Sequence, residues 1–149
     1  MAAKKRRKGK PTAFVLDGSV PLAWFFEDES DAYAEAVQDS LTSAVAVVPP
    51  LWHLEVANAL LVGERRQRTT EAKVTHFLTL LSCLPITVDE ETAARAWSDT
   101  LALARAHNLS AYDAAYLELA LRQGLPLASL DEPLRGALRK VGGILYLTS

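Results

Sequence analysis

The segment TAFVLD, residues 12–17, is a short apolar run that ends in a carboxylate. Four further runs of mainly aliphatic residues follow it, at 44–48 (AVAVV), 86–88 (ITV), 127–129 (LAS) and 144–147 (ILYL). These runs are almost continuously apolar, which is typical of strands that are covered on both faces in a parallel sheet. The sequence therefore predicts strands of a parallel sheet at these five places.

Helical patterns occupy the intervals between the predicted strands. The predicted helices cover residues 19–26, 29–41, 51–63, 70–83, 90–107, 111–123 and 134–140. Pro49-Pro50 precedes the third of these helices, Gly124 follows the sixth, and Gly142-Gly143 precedes the last strand, in agreement with these boundaries. Because strands and helices alternate, we expect an α/β fold with right-handed crossovers.

Length and composition indicate one folded domain. The chain has 149 residues, of which 50% are hydrophobic and 23% are charged, and this balance excludes a disordered or low-complexity protein. The single cysteine, Cys83, excludes an intramolecular disulfide and suits a reducing compartment. No apolar run reaches the roughly 18–20 residues of a membrane helix, and no signal peptide is recognisable, so we expect a cytoplasmic protein.

The basic residues are concentrated at the start of the chain. Six of the sixteen lie in the first ten positions, and removing them leaves ten basic residues against eighteen acidic ones, a net charge of −8. We therefore expect a basic, disordered arm over residues 1–11 and an acidic domain over residues 12–149. The arm could contact nucleic acid or be a solvated tail.

Four carboxylates are expected to meet at one edge of the sheet, where ligands of parallel α/β folds bind. They are Asp17, Glu55, Asp113 and Asp131. Two unit charges about 4 Å apart repel by about 4 kcal/mol at an effective dielectric near 20, so the group requires a divalent cation or partial protonation. The ligands would be oxygen atoms, and the histidines are scattered, which favours Mg²⁺ or Mn²⁺ over zinc.

Each carboxylate also has a structural interpretation. Asp17 and Asp131 could cap the helices that follow them, and Asp113 could complete a capping box with Ser110. Glu55 lies in a helix that is predicted to be apolar nearly all the way round, where it could accept a hydrogen bond across the core.

Other chemistries fit the sequence less well. No dinucleotide-binding, P-loop or nucleophile-elbow motif is present. Cys83 is expected to be inert in the core, and Trp24 with its two following phenylalanines is expected in the core or a subunit contact. Glu118 and Arg122 are expected to form an i,i+4 pair on a solvated helix face.

Four segments together resemble the PIN-domain family, and within it the VapC-type ribonuclease toxins of bacterial and archaeal toxin–antitoxin systems. They are FVLDGSV (14–20), PLWHLEVANAL (50–60), LSAYDAAYL (109–117) and PLASLD (126–131). They occur in the family's order and spacing, and the resemblance covers residues 12–149. It implies a three-layer α/β/α sandwich with a central parallel sheet, usually as a homodimer.

The resemblance also implies a site and a function. Asp17, Glu55, Asp113 and Asp131 correspond by position to the family's catalytic, metal-binding acids, with Ser19, Asn58 and Ser129 in supporting positions. It implies an endoribonuclease that uses Mg²⁺ or Mn²⁺ and is held inactive by a VapB-type antitoxin. Arg65, Arg66 and Arg68 could contact RNA phosphates or form a solvated helix end.

Three alternatives remain open at this point. The protein could be a PIN nuclease that processes RNA without being a toxin, or a non-catalytic module that binds a protein partner. A phosphatase of the haloacid dehalogenase type fits poorly, because Ser19 stands where that chemistry requires a second aspartate.

Overall fold

A four-stranded, all-parallel sheet forms the centre of the computed structural model, which describes residues 12–148. The strands are β1 (Thr12–Leu16), β2 (Ala44–Val48), β3 (Ile86–Val88) and β4 (Leu127–Ala128), in the order β3-β2-β1-β4. The α/β class and the parallel sheet are thereby confirmed. The predicted arm at residues 1–11 lies outside the described residues, as does Ser149.

Helices flank this sheet and begin and end close to the predicted boundaries. They are α1 (Ser19–Phe25), α2 (Ala32–Ser40), α3 (Leu51–Arg65), α4 (Glu71–Leu81), α5 (Thr92–Arg95), α6 (Leu101–His107), α7 (Ala111–Gln123) and α8 (Glu132–Lys140). A 3₁₀ turn at Glu27–Glu29 precedes α2, and a π-helical turn at Ala96–Thr100 joins α5 to α6, so the predicted helix 90–107 is not one regular helix. No helix among residues 12–148 combines the length and the apolarity needed to span a membrane.

The core is built on β1. Phe14, Val15 and Leu16 are all fully buried, and because successive strand residues point to opposite faces, both faces of β1 are covered. This explains why the strand is a continuous apolar run, as the three-layer arrangement requires.

The predicted strand at 144–147 is reduced to one bridge, in which Leu145 pairs with Leu127. The backbone turns away immediately afterwards, since Leu147 adopts a left-handed conformation with φ 62°. Tyr146 holds the segment in place by stacking on Phe14 with ring centroids 3.9 Å apart. The segment is therefore attached by this stacking and by two backbone hydrogen bonds with Leu127, from the Leu127 N–H to the Ile144 carbonyl at 3.0 Å and from the Tyr146 N–H to the Leu127 carbonyl at 2.8 Å. The prediction of a full strand was wrong.

Two predictions about burial were also wrong. Helix α3 buries one side only, through Trp52, Val56 and Leu60, and Leu54 is 75% exposed. Cys83 is exposed and lies outside the core.

The Glu118–Arg122 pair is buried and does not lie on a solvated face. Arg122 also donates to both carboxylate oxygens of Asp89, at 3.0 and 2.8 Å, which ties α7 to the residue that follows β3. The i,i+4 spacing was visible in the sequence, but the distant third partner was not.

Candidate functional site

Asp17 follows β1 directly and is 6% exposed. The hydroxyl groups of Ser19 and Ser129 both donate to its Oδ2, at 2.6 and 2.8 Å. The capping interpretation of Asp17 was wrong, because Gly18 is the N-cap of α1 and no side chain caps that helix. Asp17 is therefore held by two serines, each of them predicted as a supporting residue.

The loop between β4 and α8 brings Asp131 towards Asp17. The Ser129 hydroxyl accepts the backbone N–H of Asp131 at 3.0 Å, and the Ser19 hydroxyl accepts the N–H of Leu130 at 2.9 Å. These bonds join the carboxyl ends of two neighbouring strands, β1 and β4. Asp131 also accepts the N–H of Leu134 at 3.0 Å, so its capping role is confirmed.

Glu55 projects from α3 towards α7, where the Tyr116 hydroxyl donates to its Oε1 at 2.5 Å. The predicted hydrogen bond across the core is therefore confirmed. Its donor was not identified from the sequence, which suggested Asn58 as the supporting residue. Asn58 is exposed, whereas Tyr116 is fully buried. Tyr116 lies three residues after Asp113 on the same helix, and this spacing could have identified it as a residue on the same face as Asp113.

Asp113 lies in the first turn of α7. Its backbone N–H donates to the hydroxyl of Ser110, the N-cap of that helix, at 3.0 Å. The positive end of the helix dipole favours a negative charge at this position. Helix α7 thus carries both Asp113 and the tyrosine that holds Glu55.

The carboxylates influence one another electrostatically. Burial raises the pKa of Asp17, and the charge of Asp131 raises it further, against the effect of the two serine hydroxyls. Burial also raises the pKa of Glu55, with added repulsion from Asp17 and Asp113 that opposes the Tyr116 hydrogen bond. The pKa of Asp113 is raised by burial and then by Asp131 and Asp17. Asp17 and Asp113 therefore each interact with the other three acids.

No cation among residues 12–148 neutralises this group. The ion pairs in this part of the chain involve Arg68, Arg95, Arg122 and Arg139, and none of them includes one of the four acids. None of the four acids is therefore ion-paired with a basic residue in this part of the chain.

The donor set fits a hard divalent cation. All four side chains offer carboxylate oxygens, the ligands that Mg²⁺ and Mn²⁺ prefer. Both serines donate to the same oxygen of Asp17, so Oδ1 has no side-chain donor among the residues that the structure describes. Across residues 12–148, no three Asp, Glu, His or Cys side chains are close enough to hold an ion together as they stand. A cation at this position would require the carboxylates to move closer to one another.

The arginine cluster predicted for RNA contact divides into two parts. Arg65 and Arg66 are exposed at the end of α3, about 15 Å along the helix axis from Glu55. Arg68 instead pairs with Asp28 at 2.9 Å and lies over the ring of Phe26, 4.1 Å from its centroid. Its charge is already matched by acidic neighbours, whereas Arg65 and Arg66 form no ion pair within residues 12–148.

Comparison with known proteins agrees with the fold. The crystal structure of PAE2754 from Pyrobaculum aerophilum is similar, with a TM-score of 0.61 and 22% sequence identity, over 85% of this chain and 79% of that one. This likeness supports the fold alone. A search of curated proteins finds no match. The family model described as PIN domain matches residues 14–137, which include all four acids. The chain therefore belongs to the PIN domain family, which is generally a family of nucleases.

Proposed function

We propose that this protein is an endoribonuclease that hydrolyses RNA phosphodiester bonds with the help of Mg²⁺ or Mn²⁺. One observation carries the proposal: Ser129 hydrogen-bonds to both Asp17 and Asp131, Glu55 accepts from Tyr116 on the helix whose first turn carries Asp113, and none of these four acids forms an ion pair within residues 12–148. A purely structural group of acids would be expected to include a cation or to disperse.

In this proposal the four acids have different roles at the site. Asp17, Glu55 and Asp113 hold the cation directly or through water, and Asp131 completes the site. A bound divalent ion supplies Lewis acidity towards the phosphate and a lower pKa for the attacking water. The serine hydroxyls fix the orientation of Asp17, and Tyr116 fixes that of Glu55.

Proton transfer would fall to one of the acids. Burial and mutual repulsion bring the pKa of Glu55 and of Asp113 nearer to neutral, which suits a group that orients water and accepts its proton. No side-chain nucleophile is needed for this route.

We further propose a toxin role of the VapC type. The support is the resemblance of four ordered segments to those toxins. The partner would be a VapB-type antitoxin whose C-terminal tail enters the acidic cleft with an arginine, and the active form would be a homodimer. A short upstream reading frame that encodes a DNA-binding protein would support this role, whereas its absence would favour a PIN nuclease of RNA processing.

The enzymatic proposal is tested by Asp17→Asn and Asp113→Asn. Each change removes a charged oxygen ligand, so we expect RNA cleavage in Mg²⁺ to fall by at least about a hundredfold, comparable to the loss of one electrostatic group in other active sites. The measurement is cleavage of a labelled RNA, together with circular dichroism to check the fold.

The matched control is Asp39→Asn, which changes an exposed aspartate of α2 and should leave cleavage unaltered. Addition of EDTA should abolish the wild-type activity. Full metal-dependent activity in either site variant would contradict the proposal. A wild-type protein that binds an antitoxin but cleaves no RNA would identify a binding module instead.

A further inference from the structure

Arg135 lies on α8, one turn after Asp131. Its Nε donates to the backbone carbonyl oxygen of Ser129 at 2.6 Å, and its guanidinium carbon lies 4.8 Å from the ring centroid of Tyr33. A hydrogen bond and a stacked aromatic ring therefore fix the position of this side chain.

Ser129 connects Arg135 to the carboxylate group. The carbonyl of Ser129 accepts from Arg135, and the hydroxyl of the same residue donates to Asp17. A single residue thus separates the guanidinium from the most buried acid of the site. This places a positive charge at the edge of the proposed centre.

Arg135 lies within electrostatic range of Glu132, whose pKa is lowered mainly by Arg139 and to a smaller extent by Arg135. Arg139, one turn further along α8, pairs with Glu132 at 2.8 Å, but Arg135 forms no ion pair in this part of the chain. Burial raises the pKa of Tyr33 to about 12, so the ring beneath Arg135 stays neutral. The hydrogen bond from Arg135 to Ser129 uses Nε, and no carboxylate among these residues forms an ion pair with Nη1 or Nη2.

We propose that Arg135 binds a phosphate of single-stranded RNA next to the bond that is cleaved. The inference rests on the proposed nuclease function and adds the residue that recognises the substrate backbone. The planar guanidinium matches the oxygen geometry of a phosphate, and a side chain already fixed in place loses little entropy on binding. An acidic centre also needs such a cation to hold a polyanion.

The test compares Arg135→Gln with Arg139→Gln, a matched loss of charge on the same helix. With a labelled single-stranded oligoribonucleotide in Mg²⁺, we expect Arg135→Gln to raise KM by about tenfold with kcat within about twofold. Loss of one phosphate contact should also reduce the slope of log kcat/KM against log salt by about 0.7, measured between about 50 and 200 mM. Arg139→Gln should change neither quantity.

Arg135→Lys separates phosphate binding from a structural role. Lysine keeps the charge but cannot reproduce the Nε hydrogen bond and the planar fork, so we expect it to retain the salt slope. If both Arg135 variants lose kcat with an unchanged salt slope, the residue only positions Ser129 and the inference is wrong. If the wild-type protein neither binds nor cleaves RNA, the proposed function itself fails, and the inference falls with it. Melting temperatures identify any variant that does not fold.

Discussion

The hydrogen bond from Tyr116 to Glu55 joins a fully buried phenol to a half-buried carboxylate. Burial and the adjacent glutamate raise the pKa of Tyr116, so the phenol remains a proton donor at working pH. In return, this hydrogen bond lowers the pKa of Glu55 against the effects of burial and of neighbouring acids. Tyr116 is thus a positioning residue that favours the ionised form of a proposed metal ligand.

Tyr116→Phe should therefore reduce cleavage without removing any ligand. Loss of the donor raises the pKa of Glu55 further, so a larger fraction of it is protonated and the acidic limb of the pH–rate profile moves to higher pH. We expect kcat/KM at neutral pH to fall by about tenfold, the cost of one hydrogen bond to a charged group. Tyr112→Phe, at an exposed tyrosine of the same helix, is the control. An unshifted acidic limb would exclude this role.

At the scale of elements, an ion-pair network fixes the far end of α7. Arg122 donates to Asp89 after β3 and to Glu118 one turn earlier, and all three side chains are largely buried. The first turn of the same helix carries Asp113. The orientation of α7, and with it the placement of a site acid, therefore depends on this network.

Arg122→Met should destabilise the fold strongly. Removing the guanidinium leaves two buried carboxylates without their cation, which costs about 3–5 kcal/mol, and urea unfolding should measure the loss. Arg95→Met removes only exposed pairs and should cost less than about 1 kcal/mol. A small effect of Arg122→Met would mean that water replaces the ion pair.

The same network gives a pH dependence with a defined sign. Arg122 lowers the pKa of Asp89 from 3.8 to about 2 in the folded state. A carboxylate with a lowered folded pKa contributes stability that is present above its unfolded value and is lost as pH falls through the folded value. The wild-type protein should therefore lose this contribution between about pH 4 and pH 2. The stability of the Arg122→Met variant should depend less on pH over that range.

At the scale of the whole molecule, sequence patterns identified the sheet and the acids but not their partners. Continuous apolar runs and the residues that end them are local features, so β1, β2, β3 and the positions of Asp17 and Asp131 were predictable. Tyr116, Asp89 and Arg135 act through contacts between elements that are distant in sequence. Apart from the three-residue spacing that places Tyr116 on the same helix face as Asp113, no spacing rule predicts such contacts. The reduction of the predicted last strand near Leu145 was unpredictable for the same reason, because it involves a contact between Tyr146 and Phe14, which are distant in sequence.

If the four acids bind Mg²⁺, the ion should stabilise the folded protein as a whole. A ligand that binds only the folded state stabilises it by about 2.7 kcal/mol at a hundred times its Kd, which corresponds to a rise in Tm of about 5–10 °C for a chain of this size. Asp17→Asn should show a smaller rise, and Asp39→Asn the wild-type rise, when thermal unfolding is followed with and without Mg²⁺.

The pH dependence of this stabilisation follows from the raised pKa values of Asp17, Glu55 and Asp113. Without metal, a raised folded pKa favours folding below the ordinary value, and that advantage is lost as pH rises through the folded value. Ionisation at neutral pH therefore destabilises the metal-free fold and creates the ligands that bind the cation. The gain in Tm from Mg²⁺ should consequently be larger at pH 7 than at about pH 4, where more of the acids are protonated. An equal gain in wild-type and Asp17→Asn proteins at pH 7 would place the ion elsewhere, and the four carboxylates would then need another explanation for their proximity.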